Sequence, residues 1–397
     1  MENRLPEKVV ALGTARSEIR ELFEFGKKRA AVVGAENVFD FSLGNPSVPP
    51  PDCVNEAALR LFQTSDPLTL HGYTSAQGDA GCREAYAADA NRRFGTEYTA
   101  DHFYITVGAA AALCCCLRAL ACSGDKFVVL APFFPEYKVF IEGAGAEMTV
   151  VPPEIGQFQI DFEALEKAIG RHTKGVIVNS PNNPSGAVYS AETVERLTAL
   201  LKRKSQELGH VIWLISDEPY REISYALGEL PWLPNYYDNT LVCYSFSKSL
   251  SLPGERLGYV LVPPKAADAS LVYAAVAGAG RSLGYVCAPS LFQRITAACA
   301  GQTSDLEVYR TNRRLLLDGL RGMGFYCAEP GGTFYLFPRS LEPDAHTFSE
   351  RAKKYDLLLV PGDSFGAPGH FRIAYCVPTA RVERALPLFA KLAAEYK

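Results

Sequence analysis

The chain has 397 residues, is 48% hydrophobic and 21% charged, and carries a formal net charge of −4. That is apolar mass enough for two or three packed domains. The acidic balance, without a long Lys/Arg run, excludes a phosphate-backbone footprint, so no nucleic-acid partner is expected. The N-terminus has no apolar stretch of signal-peptide length. The richest apolar segment, GAAAALCCCLRALAC, is broken by Arg118 and too short to span a bilayer. A cytoplasmic protein without a membrane partner is expected. The eleven cysteines include no CxxC. Cys114, Cys115 and Cys116, adjacent on a helix, point in different directions and cannot share one metal. They read as small buried residues in a reducing compartment, with no metal site.

In chain order, SEIRELFEFGKKRA (17–30) has helical periodicity, with Ser17 as N-cap. A Pro-punctuated extended segment, FDFSLGNPSVPPP, follows. Apolar strands then alternate with helical stretches: FYITV (103–107), KFVVLA (126–131), GVIVNS (175–180), VIWLIS (211–216), LVCYSF (241–246) and LGYVLV (257–262). Most are continuous apolar runs, as in strands buried on both faces. The expected fold is α/β: a mainly parallel sheet covered by helices on both faces, plus a smaller α+β domain. The smaller domain is built from the C-terminal segment and part of the N-terminus. Beyond residue 285 a helical stretch (290–322) precedes the strand-like FYCAE, GTFYLFP, LLLVPG and HFRIAYC. The expected division is therefore an N-terminal arm and part of the small domain at 1–45, the large domain at 46–285 and the small C-terminal domain at 286–397.

Ligands of open α/β sheets bind at the carboxyl ends of the strands, so the residues following each strand matter. After FYITV, Gly108, Ala109 and Ala110 open a helix whose first amides are accessible to an anion. PFFPEY presents Phe133 and Phe134. PNNPSG presents Asn182 and Asn183. Asp217, Glu218 and Tyr220 follow VIWLIS. Ser245, Ser247 and Lys248 follow LVCYSF, and Arg256 precedes the next strand. Each has an ordinary explanation as a turn, a cap or a solvated charge. Together they supply an amine, a carboxylate, hydrogen-bond donors, an aromatic face and an anion grip. Pyridoxal phosphate needs this combination: an amine for its aldehyde, a carboxylate to keep the ring nitrogen protonated, and an anchor for the phosphate.

In these residues the chain resembles the fold-type I, class I/II aminotransferases, aspartate aminotransferase-like, over nearly its full length. SFSKSLSLPGERLG resembles the family's S-x-S-K…R-x-G block, NNPSG its N-P-[TS]-G turn, DEPY its D-x-x-Y, Tyr73 to Gly78 its tyrosine segment and FRIAY its arginine strand. The resemblance implies a Schiff base on Lys248, which also shuttles the proton between the substrate's Cα and the cofactor. It implies Asp217 on the pyridine nitrogen, Asn183 and Tyr220 on the phenolate oxygen, and Phe134 stacked on the ring. Gly108, Ala109, Ala110, Ser245, Ser247 and Arg256 would hold the phosphate. Tyr73 would reach the partner subunit's site, implying a homodimer with shared active sites. Arg372 would clamp the substrate α-carboxylate, with Gly44 and Asn45 at the entrance. Ala109 and Ala110 depart from the hydroxyl or longer polar residues that many relatives carry there.

Ping-pong transamination between an L-amino acid and a 2-oxo acid is the expected reaction. A carbon–sulfur β-lyase on the same fold is the alternative, because the cofactor site does not choose the reaction. A sensor with a DNA-binding segment is disfavoured by the short N-terminal region. An acidic substrate needs a second cation, and Arg281 is the candidate; aspartate or glutamate is the first choice.

Overall fold

The computed structural model describes residues 5–14, 17–154, 156–225 and 228–397. The chain divides into two compact units. One comprises Pro46–Val308 with Glu329–Thr333; the other comprises Met1–Asn45, Tyr309–Ala328 and Phe334–Lys397. The larger unit therefore runs past the boundary expected at 285. The helical stretch anticipated over 290–322 is two helices, Ser290–Ala298 and Glu307–Gly322. The first buries Gln293, Ile295 and Thr296 and packs on helices Asp52–Thr64 and Ala80–Phe94, which hold it in the larger unit.

The larger unit is built on seven strands: β1 (Phe103–Thr106), β2 (Lys126–Leu130), β3 (Glu147–Val151), β4 (Thr173–Asn179), β5 (Trp213–Asp217), β6 (Thr240–Ser245) and β7 (Gly258–Leu261). Their order across the sheet is β1-β7-β6-β5-β4-β2-β3. β7 runs antiparallel to β1 and β6, and the other pairs are parallel. All residues of β1, β5 and β6 are buried, as continuous apolar runs require when helices cover both faces. Alternation along β2 puts Phe127 and Val129 in one core with Leu113 and Leu117, and Val128 in another with Leu197 and Leu201. β3 escapes the sequence reading because it is a half-exposed edge strand. It starts at Glu147, whose carboxylate meets Lys126 Nζ at 2.9 Å.

The smaller unit pairs Phe39–Asp40 in parallel with Leu357–Leu358. It also holds an antiparallel sheet in which Phe371–Ala374 lies between Val360–Pro361 and Tyr335–Leu336. Helices Glu18–Val33 and Thr379–Ala394 bury Leu22, Val382, Phe389 and Leu392. Ser17 caps the first of these by accepting from the Arg20 amide. Among the described residues, no helix is long and apolar enough to cross a membrane.

Candidate active site

Register gathers the strand-end residues of the larger unit. Asn179, Asp217 and Cys243 are level on β4, β5 and β6. Asp217 is 4% exposed. Its Oδ2 accepts from the Tyr137 hydroxyl at 2.5 Å, while Oδ1 is buried with no hydrogen-bond partner. Burial is the main cause that pushes its carboxyl up to about 7; the neighbouring Glu218 adds to this, and the Tyr137 bond opposes it. Glu218 is neutralised locally, by Arg221 and by the Ser216 hydroxyl at 2.7 Å. The Arg221 guanidinium lies 4.9 Å from the Trp232 ring. Among the described residues Asp217 has no such cation. A buried carboxylate oxygen lacking both donor and counter-charge fits the N–H⁺ of a protonated heteroaromatic ring.

Two residues that the sequence reading passed over hold this arrangement. Tyr137, in PFFPEY, orients Asp217 and meets Phe134 edge-on, with ring centroids 5.8 Å apart. Asn179, the last residue of β4, donates to the Asp217 carbonyl at 2.8 Å and accepts from the Asn183 amide at 2.7 Å. Its position at a strand end was the available signal. Asn182 is the structural member of the turn. It donates to the Pro132 carbonyl at 3.1 Å and accepts from the Ser185 amide and hydroxyl. Asn183 and Tyr220 are both buried.

Lys248 is half-buried on a one-turn helix, Phe246–Ser249, capped by Ser245. The Ser245 hydroxyl accepts from the Ser247 amide at 3.2 Å and lies 2.7 Å from the Ser247 hydroxyl. Ser245 pairs in register with Gly258. A Cβ on Gly258 would lie 3.1 Å from the Gly108 backbone, so the chain approaches there as only glycine allows. Gly108 has φ +95° and starts the helix Ala109–Leu120 without a side-chain cap; a Cβ on it would lie 2.8 Å from Arg256 Nη2. Arg256 adopts the left-handed region at φ +53°, and its guanidinium donates to the Pro253 carbonyl at 2.9 Å. Among the described residues no carboxylate pairs with it. A cation held against a helix N-terminus is unfavourable unless an anion lies between them, so this cradle fits a phosphate.

In the smaller unit Arg372 is buried. Its guanidinium lies 4.6 Å from the Tyr335 ring and 4.9 Å from the Phe365 ring, and Nη2 donates to the Ser42 carbonyl at 2.6 Å. A Cβ on Gly44 would collide with the Tyr335 hydroxyl, and Asn45 is exposed. Tyr335, Phe365 and Ser42 carried no motif, because only folding brings them to Arg372. Tyr73 is 97% exposed, and Arg281 is exposed in the last turn of helix Ala269–Leu283; neither joins the Asp217 cluster.

A mainly parallel sheet with a lysine, a buried carboxylate that keeps one oxygen without a partner, and an anion cradle at its strand ends defines a fold-type I pyridoxal phosphate enzyme. The family model for aminotransferase class I and II matches residues 36–387, and the chain belongs to that family. It is 31% identical to the aspartate/prephenate aminotransferase of Thermus thermophilus, over 88% of this chain and 89% of that protein. A crystal structure of an amino transferase from Eubacterium rectale superposes with a TM-score of 0.97 at 54% identity, over all of both chains. The aspartate aminotransferase from Thermus thermophilus with maleate gives 0.86 at 27% identity, over 98% of this chain and all of that one. The chain is thus an enzyme that transfers an amino group between an amino acid and a 2-oxo acid with pyridoxal phosphate; the lyase alternative is not favoured.

Proposed function

We propose that Lys248 carries the cofactor, that Asp217 pairs with its ring nitrogen, and that acidic amino acids are the favoured donors of a homodimeric enzyme. The observation that carries the cofactor assignment is the buried, partnerless Asp217 Oδ1. Pyridoxal phosphate, when bound, supplies an aldehyde for the amino group and a cationic ring that draws electrons from the α-carbon. Lys248 takes and returns the proton at that carbon, its helix fixed by the Ser245 cap. Asn183 and Tyr220 supply hydrogen bonds at the ring oxygen, and Phe134 supplies a flat face. Arg256, Ser245, Ser247 and the amides of Gly108, Ala109 and Ala110 hold the phosphate. Arg372, fixed between two aromatic rings, takes the α-carboxylate through its planar fork, with Gly44 and Asn45 beside it. Arg372→Lys keeps the charge and loses the fork, so KM for every donor is expected to rise about 10–100-fold, read by steady-state kinetics.

The acidic preference is supported by the names of the relatives and by Arg281, an exposed cation with no carboxylate partner among the described residues. It is tested by a panel of amino donors against 2-oxoglutarate and pyruvate. Arg281→Ala is expected to lower kcat/KM for aspartate about 10–100-fold relative to alanine, the worth of one charge-assisted pair. An unchanged ratio removes Arg281 from that role. The dimer is supported by Tyr73 and by the exposed apolar neighbours Leu68 and Phe62; light scattering should give twice the chain mass. Eleven cysteines held as thiols rather than disulfides among the described residues support a reducing, cytoplasmic location.

A further inference from the structure

The turn that carries Lys248 is too short to hold itself. Phe246–Ser249 is a single turn of helix, and one turn does not repay the cost of nucleating it. Its N-terminal end is fixed by the Ser245 hydroxyl, which accepts from the Ser247 amide at 3.2 Å. At the other end the Ser249 carbonyl finds no donor within so short a helix. Two residues on, Ser251 takes the left-handed region at φ +52°, where a Cβ crowds the backbone. The Ser251 amide donates to the Lys248 carbonyl at 3.4 Å, so this strained residue bears directly on the lysine's own peptide.

Both weak points are held by one residue from a distant part of the chain. Ser304 lies in the connection between helices Ser290–Ala298 and Glu307–Gly322. Of residues 301–305 it alone is buried, with 3% exposure. Its amide donates to the Ser249 carbonyl at 2.8 Å. Its hydroxyl donates to the Ser251 hydroxyl at 2.8 Å, with the Ser249 carbonyl 3.2 Å away. The Ser249 hydroxyl accepts from the Tyr244 hydroxyl at 3.0 Å, and Tyr244 stands on β6, the strand that leads into the turn. A surface connection gains nothing by burying a hydroxyl unless its bonds hold something in place. Here each of those bonds ends on the turn of Lys248.

We propose that Ser304 is a positioning residue for amino transfer: by clamping Ser249 and Ser251 it fixes the backbone of Lys248 and so the aim of the amine. The inference rests on the assignment of the reacting amine to Lys248.

Ser304→Ala removes the hydroxyl and keeps the amide bond. In the apoprotein, amide hydrogen exchange of segment 245–252 should become about tenfold faster, the worth of one hydrogen bond. In the holoenzyme, kcat per bound cofactor should fall about 10–100-fold while KM for the donor stays the same. A displaced amine slows proton transfer and leaves Arg372 untouched, so the isotope effect with an α-deuterated donor should rise as well. Ser251→Ala, which removes the acceptor from a half-buried position, should act in the same direction; it decides the matter should Ser304→Ala fail to fold. Unchanged exchange overturns the proposal. So does faster exchange with unchanged kcat and isotope effect, or a loss confined to KM. Lys248→Ala is measured beside these variants to separate the two readings. Retained turnover there removes the lysine assignment itself, whereas an inactive Lys248→Ala beside a fully active Ser304→Ala sinks the clamp alone.

Discussion

Lys248→Ala is expected to abolish turnover while leaving the protein folded. Among the described residues no other lysine lies in the turns that follow β1, β4, β5 and β6, and the other cation of the loop, Arg256, is a guanidinium that lies against the phosphate cradle. The variant loses covalent attachment and proton transfer together. Positioned acid–base catalysis alone is worth about 10²–10⁴-fold, so the combined loss should exceed that. Stability should barely change, because the side chain is half-buried and the helix is held by Ser245 rather than by the lysine. The measurement is the half-reaction with a single donor, followed by cofactor absorbance, beside the Tm of the apoprotein. Retained turnover would remove Lys248 from the mechanism.

Asp217→Asn should separate stability from activity. In the apoprotein the folded carboxyl holds its proton up to about pH 7, whereas the unfolded chain releases it near 3.8. The folded state therefore binds more protons between these values. Apoprotein stability should fall as pH rises through that window and level off above it, by on the order of 4 kcal/mol. Asparagine carries no charge to bury, so apo Asp217→Asn should melt above the apo parent at pH 8, with the difference vanishing near pH 4. The holoenzyme should behave in the opposite sense. Loss of a buried ion pair costs about 3–5 kcal/mol, or about 10³-fold in kcat. Tm and kcat measured on both forms read the two effects independently; equal apo melting at pH 8 would show that Asp217 is not the strained group.

Periodicity made the sheet legible. The six apolar runs read as buried strands are β1, β2, β4, β5, β6 and β7, because burial on both faces writes itself as continuous hydrophobicity. β3 was not legible, since an edge strand needs only one apolar face. The break after Ala298 was passed over, although Gly301, which adopts φ +79°, and the Thr303-Ser304-Asp305 run before the next helix mark it in the sequence.

The sequence by itself determined the chemistry. An amine, a carboxylate, amide donors and an anion grip at successive strand ends name the cofactor, because each is a residue type at a position that pattern can read. The resemblance already pointed to Asp217, and only the tertiary structure shows why it rather than Glu218 is poised. Asp217 and Glu218 are adjacent and both buried, and folding gives Glu218 the guanidinium of Arg221 while leaving Asp217 with one tyrosine hydroxyl. Arg221 is a sequence neighbour of Glu218, but the burial of Asp217 and its Tyr137 partner come from distant parts of the chain, and no spacing along it records them.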